Sequence, residues 1–148
     1  MTFTVHELTS DILATHLDDF IETLNHLVPT DTITLDKAQD ILQKINAQDT
    51  HIYVVIHDDG HLVWSISLML EQKFIRWAKI AGHLEDVVTR KWYEGQGIAS
   101  ALIQHAVQAA KDAHCYKVIL DCDQELSTYY AKFGFVVDSI CMKQYISL

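Results

Sequence analysis

Proline is nearly absent from this 148-residue sequence, with Pro29 alone, and glycine is scarce at five. So little of either excludes a collagen-like or Pro/Gly-rich low-complexity chain. Cysteine is sparse too: Cys115, Cys122 and Cys141 are odd in number and include no C-x-x-C pair. That excludes a disulfide framework and suggests reduced thiols in a cytoplasmic setting. No stretch approaches the ~20 apolar residues that span a membrane. The opening "MTFTVHELTSD" lacks the basic and apolar regions of a signal peptide. Positive charge is missing from the first half. Residues 1–70 hold eleven acids against Lys37 and Lys44, whereas residues 71–148 hold nine acids and nine bases. The overall formal charge of −9 disfavours nucleic acid and anionic membranes as partners. The concentration of cations in the second half has two readings: solvated surface, or a half that meets a polyanionic small molecule.

What is present is enough apolar material, 49% of the residues, for one core and one domain over residues 1–148. "FTVHEL" reads as a first strand. Ser10 and Asp11 suit a helix start, followed by apolar residues at helical spacing from Ile12 to Leu27, with Pro29 as a stop. Thr34 can cap a second helix through about Ala47. "HIYVVI" and "LVWSISLML" flank Asp59–Gly60, a strong hairpin signal. In the second of these runs, Leu62, Trp64, Ile66, Leu68 and Leu70 alternate with their neighbours and predict one shared face. "IAGHLEDVV" predicts a strand, and residues 97–113 an alanine-rich helix that packs closely on the sheet. "YKVILDC" predicts a buried strand, and residues 125–133 a short helix that ends at Gly134. "FVVDSICMKQYISL" predicts a closing strand. The order β-α-α-β-β-β-α-β-α-β implies an α/β fold with a mixed sheet.

The junction Glu94-Gly95-Gln96-Gly97-Ile98-Ala99 joins a strand to a helix through two glycines one residue apart. Such a junction can hold an anion on unpaired backbone N–H groups. Together with the element order, it resembles the signature of the GNAT superfamily of acetyl-CoA-dependent N-acetyltransferases. "EQKFI", "GHLEDVV", "CYKVILDC" and "YYAKFGF", in that order and spacing, resemble the glucosamine-6-phosphate N-acetyltransferases. The resemblance covers nearly the whole chain and is densest from Glu71 to Met142. It implies a homodimer that transfers acetyl from acetyl-CoA to the amine of glucosamine 6-phosphate, on the way to UDP-N-acetylglucosamine.

The same resemblance assigns the site. The pyrophosphate of the coenzyme would sit on N–H groups of Gly95, Gln96, Gly97, Ile98, Ala99 and Ser100, with Arg90 and Lys91 close by in sequence. Val87, Val88 and Thr89 would pair with the pantetheine arm, on a fourth strand that carries a bulge and splays from the fifth. Glu85 and Asp86 would meet the amine and hydroxyls of the substrate. These neighbours point to opposite faces of a strand, so both serve one pocket only if a bulge re-aims one. Tyr130 would stand beside the sulfur as acid or hydrogen-bond donor. Asp121 would lie near the amine. Lys73, Phe74, Ile75, Arg76, Val87, Tyr116 and Lys117 would complete the substrate site, with the lysines and the arginine on the phosphate. No residue is singled out as general base, and Cys122 reads as a small hydrophobe.

Several positions depart from the family pattern. Glu94 replaces Gln or Arg, Leu126 an Asn, and Val28–Pro29 a small polar residue. Gln144 and Tyr145, beside Lys143, stand where an Arg is expected. Two alternatives therefore stay open: the same chemistry on another small amine, or a non-catalytic acyl-CoA-binding module. The nine histidines fit no standard ligand spacing, so no metal is expected. Trp64, Trp77 and Trp92 read as core or subunit contacts.

Overall fold

The structure is a computed structural model and describes residues 3–147. Five strands form one sheet in the order β1-β2-β3-β4-β5. They are β1 (Phe3–Glu7), β2 (Thr50–His57), β3 (Leu62–Gln72), β4 (Ile80–Thr89) and β5 (Cys115–Leu120). The first four pair antiparallel in sequence order, and β4 pairs with β5 in parallel. Helices α1 (Ser10–Asn25) and α2 (Leu35–Ala47) follow β1. A single turn, α3 (Ile75–Ala78), joins β3 to β4. Helix α4 (Ile98–Asp112) crosses over from β4 to β5, and α5 (Ser127–Ala131) follows.

Both early helices start on a threonine hydroxyl. Thr9 accepts from the Ile12 N–H and Thr34 from the Lys37 N–H, each at 3.3 Å. Each such cap stabilises its helix by about 1 kcal/mol. The two faces of the sheet are covered separately. Leu8, Leu13, Ala38, Leu42, Ile52, Val54 and Leu62 form the core under α1 and α2. Trp64, Ile66, Leu68 and Leu84 pack with Ile98, Leu102, Ile103 and Ala106 under α4. Close approach of α4 explains its alanines: a Cβ on Gly82 of β4 would come within 3.5 Å of the Ala110 methyl.

Leu62 and Trp64 were expected on one face, and they lie on opposite ones. Val55 pairs with Trp64 and Ile56 with Leu62, so Val63 is an extra residue in β3. This bulge shifts the alternation and turns Leu62 toward α1.

Two further expectations fail at the chain's end. Residues 135–147 form no strand, and Leu148 lies outside the described residues. Val136, Val137, Ile140 and Met142 are more than four-fifths exposed there. Strand β5 is half-buried rather than buried, because β4 is its sole strand neighbour. A strand needs a partner ladder, and the described residues supply none beyond β5.

Histidines compensate for the cations missing from the acidic half. His51 sits 2.6 Å from Glu7 and 3.3 Å from Asp49. Burial disfavours its imidazolium, but these two hydrogen bonds prevail and raise its pKa above the ordinary 6.5. A raised histidine pKa contributes stability in full below the unfolded value and loses it as pH rises through the folded value. The pair is partly solvated, so the effect is about 0.5 kcal/mol, or ~1–2 °C in Tm. Between about pH 6 and pH 8, the native chain should therefore lose that much more Tm than its His51→Gln variant. Parallel melting curves on the two proteins check this.

Candidate active site

Two irregularities in β4 build the site. Ser67 pairs with Glu85 and Ser65 with Val88, so Asp86 and Val87 together oppose Ile66. This is a β-bulge, and Asp86 takes a φ of +51° within it. A left-handed non-glycine residue costs about 1–2 kcal/mol, held here by the ladder on either side. Such a bulge breaks the strict alternation of side chains, the condition the sequence set for Glu85 and Asp86 to serve one pocket.

The second irregularity is a parting of strands. Pairing between β4 and β5 ends at Leu84–Leu120, while β4 continues to Thr89. Along Val87, Val88 and Thr89 the β5-facing backbone of β4 has no ladder partner. Asp121 follows directly from the last paired residue of β5.

The carboxylates sense each other across this opening. Burial, then Asp121, then Asp86 raise the pKa of Glu85, with His83 opposing. The thiol of Cys141, brought back by the chain's end, donates to Oδ2 of Asp121 at 3.3 Å. That bond, foremost, pushes the thiol pKa up. Tyr130 on α5 is buried at 8% exposure. Its ring meets Tyr129 edge-on at 5.4 Å and Phe135 at 6.1 Å. Burial, with Cys122 and Tyr129 adding to it, raises the phenol pKa, so Tyr130 is an O–H donor at neutral pH.

The glycine junction lies at the far end of β4. Gly95 and Gly97 both adopt a φ of +76°, a region open to glycine with little cost. The space a Cβ would occupy at either is empty to 4 Å. Gly97 begins α4 without a side-chain cap. The first-turn N–H groups of Ile98, Ala99 and Ser100 have no intrahelical acceptor and, with the helix dipole, face this opening. A diphosphate fits such a place. Glu94 is exposed, which leaves the backbone to form the cradle. The side-chain oxygen of Gln96 is buried without a hydrogen-bond partner among the described residues.

Some expected cations are occupied elsewhere. Arg90 is not free for a phosphate: it donates to Asp19 Oδ1 at 2.8 Å and to the Asp19 carbonyl at 2.9 Å. Lys73 is bound to Glu71 at 2.5 Å, and His83 holds the other oxygen of that carboxylate at 2.7 Å. The sequence places His83 on a strand and reads it as merely polar; its contact with Glu71 exists only through pairing across β3 and β4. Among the described residues, Arg76 and Lys117 have no carboxylate partner. Lys117 lies over the Tyr116 ring at 5.6 Å.

The structure does not bring the backbone of Phe74, Ile75 and Arg76 to Glu85, whereas the Lys73 ammonium reaches back to Glu71, whose carboxylate also holds His83 two residues before Glu85. Glu85 stands opposite Ser67, and Ile80 opposite Gln72 at the other end of the ladder. That length of strand is about 16 Å, beyond the reach of a hexosamine phosphate. The intervening turn α3 is itself strained, with Arg76, Trp77 and Ala78 all left-handed at φ of +54° to +57°. Phe74 is fully exposed and Trp77 is 89% exposed, so no packing within the chain offsets that strain. Trp64 is a core residue as expected, while Trp92 is 80% exposed.

A bulged strand that parts from its neighbour, above a glycine-led helix start, is the arrangement that the resemblance to acyl-CoA-dependent transferases implies. The acetyltransferase (GNAT) family model matches residues 13–135, and the chain belongs to that family. Within it, the sequence is 34% identical over 129 residues to the glucosamine 6-phosphate N-acetyltransferase of Arabidopsis thaliana, covering 85% of this chain and 87% of that one. It is 40% identical over 101 residues to a probable glucosamine 6-phosphate N-acetyltransferase 2 of Oryza sativa, covering 66% of this chain and 61% of that one. The crystal structure of the Arabidopsis thaliana glucosamine-6-phosphate N-acetyltransferase superimposes with a TM-score of 0.91 at 31% identity, over 99% of this chain and 100% of that one. No helix among the described residues is long and apolar enough to cross a membrane. No group of three His, Cys, Asp or Glu among them is placed to hold a metal.

Proposed function

We propose that this chain acetylates the amine of glucosamine 6-phosphate with acetyl-CoA, by direct attack in a ternary complex, on the route to UDP-N-acetylglucosamine. The observation that supports this reading is the parting of β4 from β5 beyond Leu84–Leu120, with Asp121 directly after it and both Asp121 and Asp86 close enough to Glu85 to raise its pKa. The thioester arm would add to β4 as an extra strand along Val87–Thr89. An N–H of the bulge would hold the carbonyl oxygen as it gains charge, a contribution of about 3 kcal/mol to the barrier. The diphosphate would rest on Gly95–Ser100.

The ammonium of the sugar must first lose a proton. Glu85 suits that step because burial and its neighbours bring its pKa closer to neutral. The amine nitrogen then bonds to the acetyl carbon, the carbon–sulfur bond breaks, the Tyr130 hydroxyl gives its proton to the departing thiolate, and the second proton that the nitrogen sheds as it becomes an amide returns to the phenolate through solvent. No covalent enzyme intermediate is needed.

The enzyme works as a cytoplasmic homodimer in this reading. The apolar tail, the free edge of β5 and the apolar side chains of turn α3 are left uncovered by the described residues of one chain. A second copy would cover them and bring its own Lys73 and Arg76 toward the sugar phosphate. The second reading, another small amine, draws on the same 16 Å separation within one chain. A rate comparison divides the two. CoA release should require glucosamine 6-phosphate, with unphosphorylated glucosamine at least about tenfold slower in kcat/KM, the worth of one charge-assisted contact. Equal rates would refute the phosphate site.

A further inference from the structure

The segment between the end of β4 and the glycines makes contacts that this chemistry does not use. Arg90 is fixed to α1 by Asp19, and its Nε donates to Thr23 Oγ1 at 3.3 Å. Thr23 is fully buried, and its hydroxyl lies 2.7 Å from the Leu62 carbonyl at the start of β3. Three residues on, the Tyr93 hydroxyl donates to Asp59 Oδ2 at 2.6 Å. Asp59 is at the tip of the β2–β3 hairpin, and its other oxygen accepts from the His61 N–H at 3.1 Å. The His61 ring returns to Asp19 at 3.0 Å. His57, the last residue of β2, sets its ring edge-on to Tyr93 at 5.0 Å. The contacts close a circuit: Asp19, His61, Asp59, Tyr93, Arg90, and back to Asp19.

At 2.6 Å the Tyr93 hydroxyl makes a short hydrogen bond to a carboxylate, and this bond is the first of several causes that lower the Asp59 pKa to about 2. It tethers a segment that would otherwise be loose. Glu94, Gly95 and Gly97 are exposed, and two glycines in so short a stretch leave the backbone much freedom to lose. Downstream, Ile98 is anchored in the core at 1% exposure. Upstream, Arg90 and Tyr93 are the only side-chain anchors among the described residues.

We infer that the Tyr93–Asp59 bond, backed by the Asp19–Arg90 pair, is a positioning device that holds the Gly95–Gly97 backbone in its coenzyme-binding form. This rests on the acetyl-CoA reading of that loop. Neither Tyr93 nor Asp59 touches the reacting atoms, so their effect belongs in coenzyme binding, with turnover spared. The hairpin tip thereby sets coenzyme affinity from outside the pocket.

A double-mutant cycle tests this. Tyr93→Phe and Asp59→Ala should each raise the KM for acetyl-CoA roughly five- to tenfold, with kcat at saturation within about twofold. Asp59→Asn keeps a carbonyl that can accept from Tyr93 and should restore most of the loss. The double variant Tyr93→Phe/Asp59→Ala should be no worse than the poorer single one. Calorimetry with coenzyme A alone should give the same pattern in Kd. Folded variants with unchanged KM and Kd, or single effects that multiply in the double variant, overturn the device. A native chain that binds no coenzyme A at all overturns the acetyl-CoA reading, and the device with it.

Discussion

Replacing Tyr130 with phenylalanine should lower kcat by about a hundredfold, the lower range for loss of one positioned proton donor, and leave the KM for acetyl-CoA within about twofold. The ring is buried and held by edge contacts to Tyr129 and Phe135, so removing one oxygen leaves its packing intact. What is lost is an O–H kept protonated at neutral pH by burial. The thiolate that leaves coenzyme A needs that donor only as the carbon–sulfur bond breaks. An interaction made in the transition state alone shows in kcat and not in ground-state binding. Steady-state rates with both substrates varied decide the matter. An unchanged kcat would remove Tyr130 from the chemistry.

Asp121→Asn should act on pH dependence as well as on rate. The Asp121 charge is the second-largest cause, after burial, of the raised Glu85 pKa. A base works in its ionised form, so activity rises as pH passes through that pKa. Removing a neighbouring negative charge lowers the Glu85 pKa, and the acid limb of the kcat/KM profile should move to lower pH. The rate on its plateau should fall by no more than a few-fold, because a slightly weaker base drives proton removal only a little less well. Glu85→Gln should abolish the acid limb and cost about a hundredfold or more. Full pH profiles for the three proteins check both variants. An acid limb unmoved in Asp121→Asn, or intact in Glu85→Gln, would assign proton removal to another group.

Much of this architecture was legible in the sequence because its signals are local. Thr34 caps α2, Asp59–Gly60 turns the hairpin, and Gly134 is left-handed at φ +89°, each where its residue type predicts. The bulge at Asp86–Val87 and the parting of β4 from β5 came from the resemblance, and strand pairing bears them out. Long-range contacts were not legible. Arg90 lies beside the glycine loop in sequence, yet Asp19, brought in by α1, takes its guanidinium. Lys73 lies just past the end of β3, and its ammonium turns back to Glu71 two residues earlier, a contact its position in the sequence does not announce. The closing strand failed for the opposite reason. Its apolar residues have the right propensity, but a strand exists only beside another, and the sequence of one chain does not state where that neighbour comes from.

A crystal structure with acetyl-CoA bound tests the central claim most directly. The account predicts pantetheine hydrogen-bonded to the main chain of Val87–Thr89 between β4 and β5, and both phosphates within hydrogen-bond distance of N–H groups from Gly95 to Ser100. Coenzyme lodged elsewhere, or β4 and β5 paired through to Thr89 with the ligand present, would contradict it.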